Sequence, residues 1–222
     1  MKAFILAAGF GTRLKPLTDK IPKALISYKG EAMINHQIKK LKNLGVNYIV
    51  VNAHHYADEI ENYLKNNNFG VEIIVIKEKV ILGTGGGILN ALEFLKKEKY
   101  FIVLNVDIET DFELNQLLKY HISENPLATL AVQRRYTARS LEFNEDLNFI
   151  GRATINTEKN NKYAFNGMHI ISSKIFNYNF KIEYCDIIDI YLKAISLGEK
   201  IKGYDVGDKT FKDLGKIENL VD

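Results

Sequence analysis

Apolar residues along the chain follow two different periods. Short continuous apolar runs have the length of buried strands, and between them apolar positions recur every three or four residues, as on one helical face. The run Lys2–Ala8 (KAFILAA) predicts a strand buried on both faces, followed by a glycine-containing loop. Ile34, Ile38, Leu41 and Leu44 form a helical stripe that Gly45 ends, and Tyr48–Asn52 (YIVVN) is the next strand. Ile60 and Leu64 mark a second helix, and Val71–Ile76 (VEIIVI) a third strand. The glycine-rich stretch Gly83–Gly87 leads into a helix carrying Ile88, Leu92 and Leu95, and Tyr100–Leu104 (YFIVL) follows as a strand. Leu114, Leu117, Leu118 and Ile122 predict a further helix, and Ala128–Gln133 a further strand. The remainder is less regular. Phe165–Ile171 reads as a strand and Ile187–Leu197 as a helix closed by Gly198. Ile201–Val206 and Thr210–Leu214 read as a hairpin across Gly207-Asp208.

Strand, helix and strand repeated in this way predict an α/β fold. The expected form is a Rossmann-like, doubly wound, mostly parallel (mixed) sheet with helices on both faces. No linker, low-complexity tract or internal repeat interrupts residues 1–222, so one domain is expected. Ligands of such sheets bind beyond the carboxyl ends of the strands. The residues to read for chemistry are therefore 9–15, 52–55, 77–87, 105–107 and 133–139.

Composition narrows the function. Hydrophobic residues make up 46% of the 222 and charged residues 26%, with three prolines, which suits a folded core rather than disorder. Thirty basic against twenty-seven acidic residues leave a net charge of +3 with no concentrated basic stripe. That argues against nucleic acid as a partner and suits the handling of small anions. The single cysteine, Cys185, excludes a disulfide framework and a Cys-rich zinc site, and is expected to be a buried thiol. The apolar run from Ala3 stops at Gly9, too short for a signal-peptide core or a membrane span. A cytoplasmic protein with no membrane partner is the expectation.

Four segments carry candidate chemistry. Gly9-Phe10-Gly11-Thr12-Arg13-Leu14 follows the first strand directly. Its glycines let backbone N–H groups approach an anion, and Arg13 can orient phosphate oxygens. Leu14 stands where a dinucleotide fingerprint needs its third glycine, and no Gly-Lys-Ser/Thr follows as in a P-loop. Asn52, at the end of the second strand, is no acidic ribose ligand, so a nicotinamide-dependent oxidoreductase is excluded. Pro16 and Pro22 stiffen the next loop and hold Lys23 near a defined place, as a candidate phosphate ligand. Leu82-Gly83-Thr84-Gly85-Gly86-Gly87 offers unobstructed backbone against which a base or phosphate could lie. Asn105-Val106-Asp107 puts a carboxylate at the end of a buried strand, where it needs a cation, a cap role or a loop ion pair. The segment Gln133–Arg139 (QRRYTAR) either reaches a phosphate with its arginines or forms a solvated basic loop. His54 and His55 are adjacent on an irregular segment, which points to loop packing rather than metal binding.

Taken together, LAAGFGTRLKPLT…PKAL, LGTGGGI, Asn105-Val106-Asp107, Phe165-Asn166-Gly167-Met168 and Lys212-Asp213-Leu214-Gly215 resemble the sugar-1-phosphate nucleotidyltransferases, or nucleotide-sugar pyrophosphorylases. The resemblance runs from Lys2 to about Val221. In length and layout it is nearest the short single-domain members acting on N-acetylmuramate 1-phosphate or, like guanylyltransferases, on mannose 1-phosphate. It implies Mg²⁺ held by Asp107 and Asp213, and Arg13 and Lys23 as catalytic cations. It also implies nucleotide contacts from Ala7, Gly9, Gly11, Thr12, Gly83, Thr84, Gly85 and Gly86, and sugar contacts from Asn105, Asn166 and Gly167. The implied partners are a nucleoside triphosphate and a sugar 1-phosphate, handled by a monomer or small homo-oligomer. Uridylyl transfer to an N-acetylmuramate-type acceptor is the main expectation. Guanylyl transfer to mannose or heptose phosphate, cytidylyl transfer to a phosphocholine-like acceptor, and a catalytically silent nucleotide-sugar sensor are the alternatives. The chain departs from the family pattern at Ala24, Val106, Phe211 and Lys216. Ile81 stands where many uridylyl- and thymidylyltransferases carry a glutamine.

Overall fold

A computed structural model describes residues 1–220; Val221, at the end of the resemblance, lies outside the described residues. The elements run β1 (Lys2–Leu6), β2 (Ser27–Tyr28), β3 (Glu31–Ala32), α1 (Met33–Asn43), β4 (Tyr48–Ala53), α2 (Ala57–Asn66) and β5 (Glu72–Lys77). Next come α3 (Gly83–Asn90), α4 (Leu92–Leu95), β6 (Tyr100–Asn105), β7 (Ile108–Thr110), α5 (Leu114–Glu124) and β8 (Ala128–Gln133). The chain closes with β9 (Leu141–Phe143), β10 (Phe149–Arg152), β11 (Lys162–Ser172), α6 (Ile187–Ser196), β12 (Ile201–Asp205) and β13 (Phe211–Asp213).

The main sheet has the order β5-β4-β1-β6-β11-β8-β12, with β9 and β10 extending from the start of β11. The block β6-β1-β4-β5 is parallel throughout. Strand β11 runs antiparallel to both β6 and β8, and β12 lies parallel to β8. The expected α/β sheet is therefore present and mixed.

Alternation along β1 shows why these runs are continuous rather than amphipathic. Ala3 and Ile5 enter a core with Ile34, Ile38 and Leu41 of α1 and Leu117 of α5. Phe4, between them, enters a second core with Ile88 of α3, Leu95 of α4 and Tyr191 of α6. With helices on both faces, the three central positions of the strand, Ala3 to Ile5, are all buried. Helix α1 ends as its sequence predicts: Gly45 takes φ +83°, its N–H donates to the Lys42 carbonyl at 2.8 Å, and the Val46 N–H reaches the Leu41 carbonyl at 3.1 Å. The predicted helix through Ile88, Leu92 and Leu95 is broken at Ala91 into α3 and α4.

The expected hairpin between Ile201–Val206 and Thr210–Leu214 does not form. Strand β12 is instead the outer parallel neighbour of β8, from Ile201 opposite Ala128 to Asp205 opposite Val132. The Gln133 side chain donates to the carbonyls of Gly207 and Lys209 at 2.8 and 2.7 Å, and so turns the chain away from β12. The returning strand, β13, then pairs antiparallel with β7. No helix among the described residues is long and apolar enough to cross a membrane.

Two histidines lie in the interior. His169 on β11 is fully buried, with Nδ1 2.6 Å from the Tyr191 hydroxyl. His121 on α5 has Nδ1 2.9 Å from Thr129 Oγ1. Burial lowers His169 to about 3. Burial, with the Lys99 charge adding to it, lowers His121 to about 4. Both values lie below the roughly 6.5 of an unfolded histidine, so the folded state resists protonation. Their share of stability is complete above about pH 6.5 and is lost as pH falls toward 4 and then 3. Urea unfolding should therefore show stability declining between about pH 6.5 and 5, by at most about 1.4 kcal/mol per pH unit for each histidine. His169→Gln should be less stable at pH 7.5 yet show a shallower decline; an unchanged slope would rule the histidine out as its source.

Candidate functional site

The carboxyl end of β1 opens into a turn that sends neighbouring residues to opposite environments. Gly11 adopts φ +66° and its carbonyl accepts from the buried Thr18 hydroxyl at 2.9 Å. Leu14 is buried with Ile26, Tyr28, Met33 and Leu214, while Thr12 and Arg13 face outward. Beyond Pro22 the chain makes a single helical turn, Lys23–Leu25, anchored by the buried Ala24. That turn delivers the Lys23 ammonium to Asp107, Nζ to Oδ2 at 2.8 Å.

Asp107 follows β6 and precedes β7. Val106, where the family pattern has a glycine, is buried in the first core and anchors this turn. Burial pushes the Asp107 carboxyl up. The Lys23 charge and hydrogen bond, the residue's own backbone N–H and the charge of Arg13 more than offset that, so it lies below the usual carboxylate range. The antiparallel pairing of β13 with β7 then brings a second carboxylate alongside. The Leu214 N–H donates to the Asp107 carbonyl at 2.8 Å. Asp213 Oδ2 accepts from Arg13 Nη1 at 2.9 Å, and its Oδ1 accepts from the Gly215 N–H at 2.9 Å.

Gly215 lies at the centre of these charges. A Cβ there would fall 2.7 Å from Asp107 Oδ2, 2.8 Å from Arg13 Nη2 and 2.8 Å from Asp213 Oδ1. Residues 13, 107 and 213, far apart in sequence, thus converge on one point, with Lys23 bonded to the same Asp107 oxygen. Gly9 borders the group, since a Cβ on it would lie 3.7 Å from Lys23 Nζ. Among the described residues no three His, Cys, Asp or Glu side chains gather into a metal cage. Two carboxylates side by side fit Mg²⁺, which takes one or two protein carboxylates and completes its shell with water and phosphate oxygens.

A second group adjoins the first. Strand β11 carries a bulge between Phe165 and His169, at which Gly167 adopts φ +71°. A Cβ on Gly167 would lie 2.6 Å from Asn105 Nδ2, so Asn105 packs directly over the bulge. Asn166 is buried, and its Oδ1 accepts from Nε and Nη2 of Arg135, both at 3.1 Å. The Arg135 guanidinium lies 4.0 Å above the Phe211 ring, two residues before Asp213.

The glycine-rich segment is placed differently from the expectation of open backbone. Gly83–Gly87 belong to α3, and one side of them is covered by residues 183–186. The Gly85 N–H donates to the Cys185 carbonyl at 2.9 Å, and the Cys185 N–H to the Leu82 carbonyl at 3.0 Å. Thr84 Oγ1 accepts from the Ile187 N–H at 2.9 Å. Cys185 is half-buried rather than buried, and burial pushes its thiol up.

Sequence reasoning missed the buried pair Asn52 and Glu78. Asn52 Oδ1 accepts from the Ala7 N–H at 2.9 Å and its Nδ2 donates to Glu78 Oε1 at 2.7 Å. Glu78 Oε2 accepts from the Leu82 N–H at 3.0 Å. The pair ties the tips of β1 and β4 to the start of α3, and it commits the amide of Ala7 to the protein. A polar Asn52 closing an otherwise apolar strand was the available signal. His54 and His55 pack near the Phe10 ring, at centroid distances of 5.5 and 5.7 Å, as a loop-packing role requires.

Among solved structures, HddC from Yersinia pseudotuberculosis complexed with GMP-PN shares the fold at a TM-score of 0.80 and 23% identity, over 99% of this chain and 96% of that one. The inositol-1-phosphate CTP transferase from T. maritima does so at 0.82 and 21%, over 99% and 91%. The architecture is thus of the nucleotide-diphospho-sugar transferase type. The nucleotidyl transferase family model matches residues 2–143, and the chain belongs to that family. The catalytic subunit beta of mannose-1-phosphate guanylyltransferase is 39% identical over 136 residues in Dictyostelium discoideum and 34% over 137 in Xenopus tropicalis. Each match covers 60% of this chain and 38% of the relative, so the chain matches under two fifths of the length of these curated relatives.

The contact between α3 and residues 183–186 yields a direct test. A Cβ on Gly86 would lie 2.1 Å from the Glu183 carbonyl oxygen. Gly86→Ala should lower the free energy of unfolding by about 1–3 kcal/mol, read from the denaturant midpoint. An unchanged midpoint would mean that the segment yields without cost.

Proposed function

We propose that this chain transfers a nucleotidyl group from a nucleoside triphosphate to a sugar 1-phosphate, releasing pyrophosphate, with guanylyl transfer to a mannose 1-phosphate-type acceptor as the specific reaction. The observation that carries the reading is the convergence of Arg13, Lys23, Asp107 and Asp213 around Gly215. Family membership supports the reaction class. The curated relatives named as mannose-1-phosphate guanylyltransferases favour guanylyl over the uridylyl transfer expected from layout. Ile81 removes one reason to prefer uridylyl transfer, because its side chain offers a base no hydrogen bond.

The chemistry is displacement at phosphorus. An oxygen of the acceptor phosphate forms a bond to the α-phosphorus, and the bond from that phosphorus to the bridging oxygen of the β-phosphate breaks. The attacking oxygen is already anionic, so no strong base is required. The obstacle is repulsion. Two unit charges about 4 Å apart repel by about 4 kcal/mol at an effective dielectric of about 20, and a phosphate monoester carries up to about two charges. Backbone dipoles at an exposed helix end contribute only about 0.3–1 kcal/mol, so side-chain cations must do most of the work. In this reading Lys23 stabilises charge at the α-phosphate, and Arg13 holds the departing phosphates. Asp107 and Asp213 would hold Mg²⁺, which when bound supplies further charge neutralisation between the two reactants. Gly9, Gly11 and Thr12 border the phosphates, while the start of α3 at Gly83 and Thr84 lies beneath base and sugar, with Gly85 and Gly86 buried behind it. Asn105, Asn166 and Gly167 meet the acceptor sugar.

Pyrophosphate release should be seen with Mg²⁺, GTP and mannose 1-phosphate, and should exceed that with UTP and N-acetylmuramate 1-phosphate. Asp107→Asn, with its fold verified by circular dichroism, should lower kcat by at least about a hundredfold. Normal turnover in that variant would overturn the metal assignment. No release by the native protein with any pairing of nucleotide and sugar phosphate would overturn the catalytic reading in favour of a nucleotide-sugar sensor.

A further inference from the structure

The basic segment that follows β8 holds three arginines, and they go to three different places. Arg134 is exposed, and its guanidinium donates to the Tyr163 hydroxyl at 2.7 and 3.1 Å with Asp205 3.9 Å away. Arg139 is exposed as well. Arg135 alone turns inward, between the bulge of β11 and the ring of Phe211.

Its surroundings orient the guanidinium without neutralising it. Nε and Nη2 are fixed on Asn166 Oδ1, and Nη2 also donates to the Phe165 carbonyl at 3.2 Å. One face rests on Phe211, so the group is desolvated on that side. All of these partners are uncharged, and among the described residues no carboxylate lies within 4.0 Å of it. Burial lowers the Arg135 pKa, and Asp213, at longer range, only partly offsets this. A desolvated cation with neutral partners is costly unless an anion joins it. Buried beside it, Asn166 Nδ2 has no hydrogen-bond partner among the described residues. Two kinds of donor capacity are thus left over at one place: charge on the guanidinium and N–H on the amide.

The place is specific. Phe211 and Asp213 are alternate residues of β13, and Gly167 touches Asn105, two residues before Asp107. Arg135 therefore flanks the carboxylate pair, and raises the cations there to three, with Arg13 and Lys23, against two acids.

We propose that Arg135 binds the phosphate of the acceptor, holding the attacking phosphate monoester next to Asp213, while Arg13 and Lys23 serve the triphosphate. This assignment rests on the reaction proposed above. It makes Arg135 an acceptor-binding residue that leaves nucleotide affinity alone.

Calorimetric titration separates the two. Mannose 1-phosphate and free mannose are titrated into the native protein, Arg135→Gln, Arg135→Lys and Arg134→Gln, each with Mg²⁺ and a non-hydrolysable GTP analogue. Arg135→Gln should weaken mannose 1-phosphate at least tenfold and change the affinity of the GTP analogue less than threefold. Arg135→Lys should recover part of the loss, and Arg134→Gln should match the native protein. Free mannose should bind weakly and equally to all four. Phe211→Leu, which removes the supporting ring and keeps the charge, should weaken mannose 1-phosphate by a smaller factor and controls for misfolding of Arg135→Gln. Equal affinity of native and Arg135→Gln proteins for mannose 1-phosphate would overturn the assignment. So would equal losses for nucleotide and acceptor, or no binding by the native protein. Failure of the proposed reaction would show separately, as binding without pyrophosphate release.

Discussion

The short pairing of β13 with β7 is the contact on which the candidate site depends. Three residues on each strand are enough to set Asp213 beside Asp107, across more than a hundred positions of sequence. The Leu214 N–H bonded to the Asp107 carbonyl fixes the register. Two carboxylates this close repel each other, so the arrangement holds only with cations interleaved. Lys23 and Arg13 take those positions: the turn of Arg13 packs through Leu14 on a small apolar cluster that also contains Leu214, and the turn of Lys23 is anchored by Ala24 in the first core. The same leucine thus belongs to the turn that carries Asp213 and to the cluster that supports Arg13.

The glycines around this group do different work in different places. At Gly215 the missing side chain makes room for three charged groups. At Gly83, Gly85 and Gly86 it lets a helix meet another stretch of backbone and exchange hydrogen bonds with it. The glycine-rich motif therefore has a structural reason to exist beside any contact with a ligand. Asn52 and Glu78 complete the support by bonding the tip of β1 to the start of α3, so that the strands and the glycine-rich helix form one platform.

What the sequence made legible follows from range. The strands β1, β4, β6 and β8 are apolar runs whose burial on both faces is a local property of composition, and their limits were readable to within a residue or two. The stop of α1 at Gly45 was readable for the same reason. The end of the chain was not. Ile201–Val206 and Thr210–Leu214 have local hairpin chemistry, and what overrides it is Gln133, 74 and 76 residues before the two carbonyls it grips in the turn. The motif residues Arg13, Lys23, Asp107 and Asp213 could be named by resemblance, but their pairing could not, because it depends on β13 leaving β12. Arg135 was indistinguishable from Arg134 and Arg139 in sequence, since only the path of the chain after β8 decides which one turns in.

The two ion pairs at the centre differ in their exposure to water. The Lys23 and Asp107 side chains are 15% and 11% exposed, those of Arg13 and Asp213 57% and 30%. Dissolved salt screens the outer pair and barely reaches the inner one. The lysine is consequently a fixed post, whereas the arginine sits on a latch that rising ionic strength loosens first. The two pairs therefore loosen in a fixed order, the outer one yielding to water first while the deeper charge stays where the strands put it.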